Sequence, residues 1–500
     1  MVHSFWSYMR TFFEGGIFIY GVLILSAYAF LAILSFLAIN QFRKKEQYTD
    51  YKKLTSSPLA PGISIIAPAY NEGVTIIQNV RSLLTLNYTN FEVIIINDGS
   101  TDDTLEKLIN EYELVQVEFA YDEKIKSKPV RRIFKSINTA YEKLMVIDKV
   151  NGKSKADASN AGINAASFNY FLCTDVDCIL EKDTLIKMIQ PILAEEHRKI
   201  TELGAPCPQC GYVHVVEDTK RVIATGATLR IANSSDIEQG ELVRMRPPKS
   251  LFPRFQEMEY IRAYVLGKMG WSKINCVPNV SGGLGLFDKE IAIKAGGYDA
   301  LSFGEDMDLI TRMCAYMKDN KQKYAIRYIP STLCWTEGPS TLKIFGRQRT
   351  RWGRGLIQIM TLHHKILFNP SYGKLGLVVF AYNFLFEFLA PIVELLGVLY
   401  YIYIIITGQI NVVDAILLLL FVYLYSIMIT LIAIFWDQLV NKSYKTWIEV
   451  AGLSLMAFLE PIIYHPLIVF FALKGYFFFI TGRKHTWGNM QRRGFGQPTP

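Results

Sequence analysis

Ile63-Ser-Ile-Ile-Ala-Pro-Ala-Tyr70 and Glu92-Val-Ile-Ile-Ile-Asn97 decide how this chain folds. Each is a short apolar run that stops at polar residues, Asn71-Glu72 after the first and Asp98-Gly99-Ser100 after the second. Strands apolar on both faces belong to a parallel sheet covered by helices on both sides. Working outward, a helical period recurs over 74–86, 102–112 and 156–167, and further strands are predicted near 114–120, 144–148 and 170–174. Strands thus alternate with helices, and the fold class is α/β. Ligands of such sheets bind at the carboxyl ends of the strands. Asn71, Glu72, Asp98, Asp175 and Asp177 all fall there.

The rest of the chain is of another kind. Of 500 residues, 51% are hydrophobic and 20% charged, too apolar for disorder. Gly at 34 and Cys at 7 exclude collagen and a disulfide scaffold. Residues 15–42 carry no charge and read as a membrane helix over about 17–40, followed by Arg43, Lys44 and Lys45. The basic residues follow the apolar run, which argues against a cleaved signal peptide. They also place that end in the cytoplasm. The expected order is a first span and flank at 1–53 and a cytoplasmic domain at 54–372, which closes with an amphipathic interface helix at about 340–367. Membrane segments at about 375–406, 411–436 and 447–480 and a basic tail at 483–500 follow. Three full C-terminal crossings would put the basic tail outside. The last segment, broken by Glu460-Pro461 and His465-Pro466, is therefore expected to turn back part-way or to lie in the interface. Glu387 and Glu394, seven residues apart, face one side of a helix, either along a polar path or in local pairs.

Several short patterns carry chemistry. Asp175-Val-Asp177 follows a strand, and residues two apart in an extended segment point the same way. Two carboxylates so placed hold Mg²⁺ or Mn²⁺, or else simply cap a turn. Asp98-Gly99-Ser100 reads as a turn or as a carboxylate aimed at a nucleoside. Glu305-Asp306 opens a helix, as acids at helix starts do, or supplies a general base. Gln348-Arg-Thr-Arg351-Trp352 lies in a basic stretch that suits either anionic lipid or a diphosphate with a stacked sugar. Lys155 opens a helix near phosphate-binding positions. Lys124–Lys135 reads as a basic loop, and with no recognised module beside it nucleic acid is not expected.

The ordered set Asp98, Asp175/Asp177, Glu305-Asp306 and Gln348-x-x-Arg351-Trp352 resembles the family 2 inverting glycosyltransferases of membrane polysaccharide synthases. Those that make cellulose, hyaluronan, chitin and poly-β-1,6-N-acetylglucosamine belong there, and the last are the most similar. Ser281-Gly-Gly-Leu-Gly and Cys334-Trp335-Thr336-Glu337 also look like that group. The resemblance implies a GT-A nucleotide-sugar-binding domain, with a mixed, mostly parallel sheet flanked by transmembrane helices. It implies that Asp98, with Asn71 and Glu72 in the same donor mouth, serves the nucleoside, and that Lys155 sits by the donor. Asp175 and Asp177 would position the diphosphate, Asp177 through the metal, and Asp306 beside Glu305 would be the base. Gln348, Arg351 and Trp352 would hold the diphosphate and the acceptor sugar. The implied partners are a UDP-sugar, a growing polysaccharide, the lipid bilayer of the inner membrane and accessory export subunits. Residues 196–219 look like an insertion, and Cys207-Pro-Gln-Cys210 resembles half a zinc ribbon or holds free thiols. Two rival functions remain: transfer of one sugar to a lipid, and a transporter with a nucleotide-binding regulatory domain, supported by Glu387 and Glu394 alone.

Overall fold

The computed structural model describes residues 2–46, 60–203, 220–238 and 240–483, with the backbone alone for 2–13, 45–46 and 196–203. Ten strands form one sheet: β1 (Ile63–Ala69), β2 (Phe91–Asn97), β3 (Leu114–Val117), β4 (Val130–Ser136), β5 (Leu144–Lys149), β6 (Tyr170–Thr174), β7 (Ile179–Leu180), β8 (Arg221–Ile231), then β11 (Leu284–Asp288) and β12 (Tyr324–Thr336). A separate hairpin pairs β9 (Asp236–Glu238) with β10 (Glu241–Arg244). The sheet order is β3-β4-β5-β2-β1-β6-β11-β8-β12-β7. Its centre is parallel: β2 pairs β1 with Ala69 opposite Asn97, β5 pairs β2 with Asp148 opposite Asn97, and β6 pairs β1 with Cys173 opposite Ile66. β11 runs antiparallel between β6 and β8, so the sheet is mixed. The chain leaves β1 toward β2 and later returns to its other side as β6. That reversal opens a crevice at the strands' carboxyl ends.

The helices in chain order are α1 (Val2–Glu46), α2 (Ile76–Leu84), α3 (Thr104–Glu111), α4 (Lys155–Ala165), α5 (Thr184–Leu203), α6 (Leu251–Ile261), α7 (Met269–Lys273), α8 (Lys289–Lys294), α9 (Glu305–Asp319), α10 (Leu342–Leu362), α11 (Ala390–Ile406), α12 (Val412–Asn441), α13 (Trp447–Leu459) and α14 (His465–Ile480). A π-helical stretch, Arg262–Lys268, joins α6 to α7. Among the described residues four helical runs are long and apolar enough to cross a membrane: Glu14–Lys44, Leu375–Ile406, Val412–Asn441 and Trp447–Ile480. The molecule is a membrane protein with an α/β domain.

Two expectations are corrected. The basic run Lys124–Lys135 is not all loop, because residues 130–136 form β4. Arg131 and Lys135 stay exposed there while Ile133 and Phe134 are buried, as an edge-proximal strand permits. Residues 447–480 do not turn back. Leu459, Glu460, Tyr464 and His465 all keep right-handed helical angles through a π turn, Glu460–Tyr464, so α13 and α14 are one continuous run. One side of that run rests on the α/β domain from end to end. Glu449 pairs with Arg244 (3.1 Å), Glu460 with Arg262 (2.6 Å), and the Tyr464 hydroxyl donates to Glu259 (2.7 Å). Beyond these, Phe471 packs on Phe345, and the Arg483 carbonyl accepts from Arg354 (2.8 Å). The opposite side exposes Trp447, Ile448, Leu455, Ile462, Phe470, Phe477 and Ile480.

Candidate active site

The loops after β1 and β2 are tied together by residues expected at a donor site. Asn71, at φ 56°, accepts the Thr101 amide on Oδ1 (2.8 Å), and its own amide donates to Ser100 Oγ (3.0 Å). The Glu72 amide donates to Thr104 Oγ1 (2.9 Å). Gly99 sits at φ +64°, and a Cβ there would lie 2.9 Å from the Asn151 amide nitrogen, so this turn requires glycine.

Asp98 is buried, and its Oδ1 accepts from Lys149 Nζ (2.6 Å) and from the Gly152 amide (2.9 Å). Lys149 is fully buried and also bonds Asp157 Oδ2 (2.5 Å) and the Val150 carbonyl (2.7 Å). Lys149 is absent from the sequence reading. Its signal is a lysine closing a strand that is apolar up to Asp148, where a buried charge needs a partner.

Asp175 and Asp177 follow β6, and their carboxylate oxygens lie within 4.8 Å of each other and of Cys178 Sγ. Cys334 and burial push the Cys178 thiol well above its usual range, which leaves the two carboxylates as the hard donors. Lys155 Nζ lies 2.5 Å from Asp175 Oδ1 and 2.5 Å from the Gly282 carbonyl. Burial opposes charge on Lys155, yet the Asp175 carboxylate beside it holds its ammonium above the ordinary lysine range.

Gly282 carries the contact onward, its amide donating to Asp306 Oδ2 (3.3 Å), with Asn279 Nδ2 at 3.5 Å. A side chain at Gly282 would begin 3.6 Å from Glu305 Oε1 and 3.7 Å from Lys155 Nζ. Burial raises the Glu305 carboxyl, Arg351 at 3.8 Å opposes that, and Asp306 adds to it. Arg351 also donates to the Phe303 carbonyl (3.0 Å). Asp175, Lys155, Gly282, Asp306, Glu305 and Arg351 are therefore contiguous, although they span 155–351 in sequence.

The other predicted residues fall at the border of this cluster. Gln348 Oε1 accepts from Gln256 (3.2 Å), and Trp352 lies 4.3 Å from the Arg349 guanidinium. Arg349 is buried in an ion pair with Glu259. Asp308, two residues after Asp306, is structural: it is buried against Arg312 (2.7 Å) and His363 (2.7 Å). Burial would raise Asp308, but His363 and Arg312 hold it below the usual carboxylate range. Glu394, the support for a transporter, pairs with His465 at 2.8 Å. Cys207 and Cys210 lie outside the described residues.

A mixed, mostly parallel sheet with acidic and basic groups gathered at its carboxyl mouth is the plan of a nucleotide-sugar enzyme of GT-A type. A model of the glycosyltransferase-like family 2 matches residues 61–355, more than half of the chain, and the chain belongs to that family. It is 29% identical over 295 residues to a poly-β-1,6-N-acetyl-D-glucosamine synthase of Staphylococcus epidermidis, covering 59% of this chain and 54% of that one. The synthase of Staphylococcus aureus strain COL is 26% identical over 294 residues with the same coverage. The chain thus spans about half the length of the curated relatives it matches. Among solved structures it is similar to a mannosyltransferase of Pyrobaculum calidifontis in complex with GDP-Man and Mn²⁺. That likeness has 15% identity and a TM-score of 0.47 and covers 92% of this chain and 100% of that one, too slight to argue from.

Proposed function

We propose that this protein is a metal-dependent, inverting β-glycosyltransferase that extends a polysaccharide from a UDP-sugar at the cytoplasmic face of the inner membrane. The observation that carries the reading is the contiguity of Asp175, Lys155, Gly282, Asp306, Glu305 and Arg351 at the carboxyl ends of the strands. Asp306 accepts the proton of an acceptor hydroxyl, whose oxygen attacks the anomeric carbon from the face opposite the diphosphate. The bond from that carbon to the diphosphate breaks, and UDP leaves with the electron pair. Asp175 and Asp177 would hold Mg²⁺ or Mn²⁺, and neutralising the departing diphosphate is the chemistry such an ion supplies. Lys155 and Arg351 bring further positive charge to that side. Asp98, already paired with Lys149, keeps the nucleoside end of the mouth rigid, together with the braced loop of Asn71 and Glu72. Gln348 and Trp352 border the acceptor side, where an indole face suits a sugar ring.

The same reading places the last apolar run in the interface. What supports it is that one side of the run contacts the α/β domain along its length while the other is apolar and exposed. The tail then stays on the cytoplasmic side with the domain.

N-acetylglucosamine is the sugar in the relatives' name, so UDP-N-acetylglucosamine heads the donor panel. Purified protein in detergent should release UDP from one UDP-sugar when Mg²⁺ or Mn²⁺ is present, and product sizing should show an oligosaccharide ladder. A single-sugar glycolipid would establish the non-processive alternative, and no UDP release with any donor would end the reading.

A further inference from the structure

One ammonium near the site has no role so far. Lys268 ends the π-helical stretch between α6 and α7. Its Nζ stands 4.6 Å from the ring centre of Tyr264 and 5.7 Å from that of Tyr328. These two rings are stacked, nearly parallel at 10° with centres 6.2 Å apart. Among the described residues Lys268 has these aromatic faces and no hydrogen-bond or ion-pair partner. Half-buried, it is a donor of three hydrogen bonds held where no protein acceptor meets it. The surroundings lead to the base: Tyr264 lies 3.4 Å from Ser281 Oγ, and the next residue, Gly282, donates to Asp306.

We propose that Lys268 is an acceptor-site residue of this transferase, its ammonium donating to hydroxyls of the sugar chain on its way to Asp306. The inference rests on the reading of Asp306 as the base. The chemistry suits the place. A cation facing the acceptor path donates to sugar hydroxyls and holds the chain as one of them meets the base. Two tyrosine faces hold the cation without using its hydrogen-bond donors. The π-helical stretch accounts for the aim: π turns inside helices are frequent at functional sites, where they redirect one side chain.

The charge on Lys268 depends on pH in a defined window. Burial lowers its ordinary value to about 8, and Asp306 works the other way. The groups around the pair are Tyr264 on the same π stretch, Tyr328 on β12 and Tyr298 before α9, with Glu305, Lys155 and Arg351 beyond Asp306. A lysine with a lowered value is charged below it and neutral above. Transfer should therefore fall as pH rises through about 8.

The test uses the full-length protein in detergent with UDP-N-acetylglucosamine and a short N-acetylglucosamine oligosaccharide. Lys268→Met should lower transfer on the order of 10–100-fold, the worth of a charged hydrogen bond, with donor KM unchanged. Hydrolysis of the donor to free sugar and UDP should then take a larger share of turnover. Lys268→Arg, charged at every working pH, should retain transfer and lose the decline above about pH 8. An unchanged pH profile in Lys268→Arg, or an unchanged transfer-to-hydrolysis ratio in Lys268→Met, overturns the proposal. Full activity in Asp306→Asn would instead overturn the base and leave the Lys268 result readable on its own.

Discussion

Asp306 combines three properties a base needs: it is half-buried, it is fixed by the Gly282 amide, and it lies one residue from a carboxyl of different character. Asp306→Asn keeps the size and one accepting oxygen and removes the proton acceptor. Turnover should fall about 10³-fold or more while UDP binding, measured by calorimetry, stays within a few-fold. Asp177→Asn should act on the other side of the reaction. Mn²⁺ binding, read by electron paramagnetic resonance of the free ion, should weaken at least about tenfold, and chelation with EDTA should abolish UDP release by the unmodified protein. Most of these residues were legible because their signals are local, as with Asp98-Gly99 at a turn and Asp175-Val-Asp177 at a strand end. Lys149 was not, because its partner Asp98 lies 51 residues away and only the pairing of β5 with β2 joins them. Lys268 was not, because nothing in its own segment marks it.

Among the elements, α10 most directly joins the site to the membrane part. Arg351 reaches α9 from one face, and the buried Arg349–Glu259 pair fixes α10 to α6. A side chain at Gly475 of α14 would begin 2.5 Å from the Thr350 carbonyl, so α14 can approach α10 only through glycine. Burial alone would raise the Glu259 carboxyl, but Arg349 holds it below the ordinary 4.5. A depressed carboxylate contributes stability above its unfolded value and loses it as pH falls through the folded one. Thermal unfolding in detergent should therefore show a loss that grows below about pH 4.5, and Arg349→Ala should blunt it. At neutral pH that variant leaves a buried carboxylate behind, at a cost of about 3–5 kcal/mol. The basic letters of Gln348–Trp352 suggest one positively charged face. In three dimensions they divide, Arg349 to structure and Arg351 to the site, because residues two apart on a helix point about 200° apart.

At the scale of the whole molecule, the membrane part is joined to the sheet by buried charge. Arg230 of β8, fully buried, meets Glu257 of α6 and Asp437 of α12, with Ser443 and Tyr444 closing the cluster. The last apolar run belongs to the same joint. With the tail on the cytoplasmic side, a C-terminal green fluorescent protein fusion made in a bacterial host should fluoresce and an alkaline phosphatase fusion should be inactive. The reverse pair would mean that 447–480 crosses. By itself the sequence determined the α/β class, the carboxyl-end position of the acidic residues, the apolar segments and the family. These are set by local periodicity and by short motifs that a few neighbouring residues define. Only the tertiary structure decided which of the paired charges are structural, how residues 447–480 lie against the domain, and that Lys268 faces Tyr264 and Tyr328. Those facts depend on partners tens to hundreds of residues apart, which become neighbours only when the sheet and helices pack.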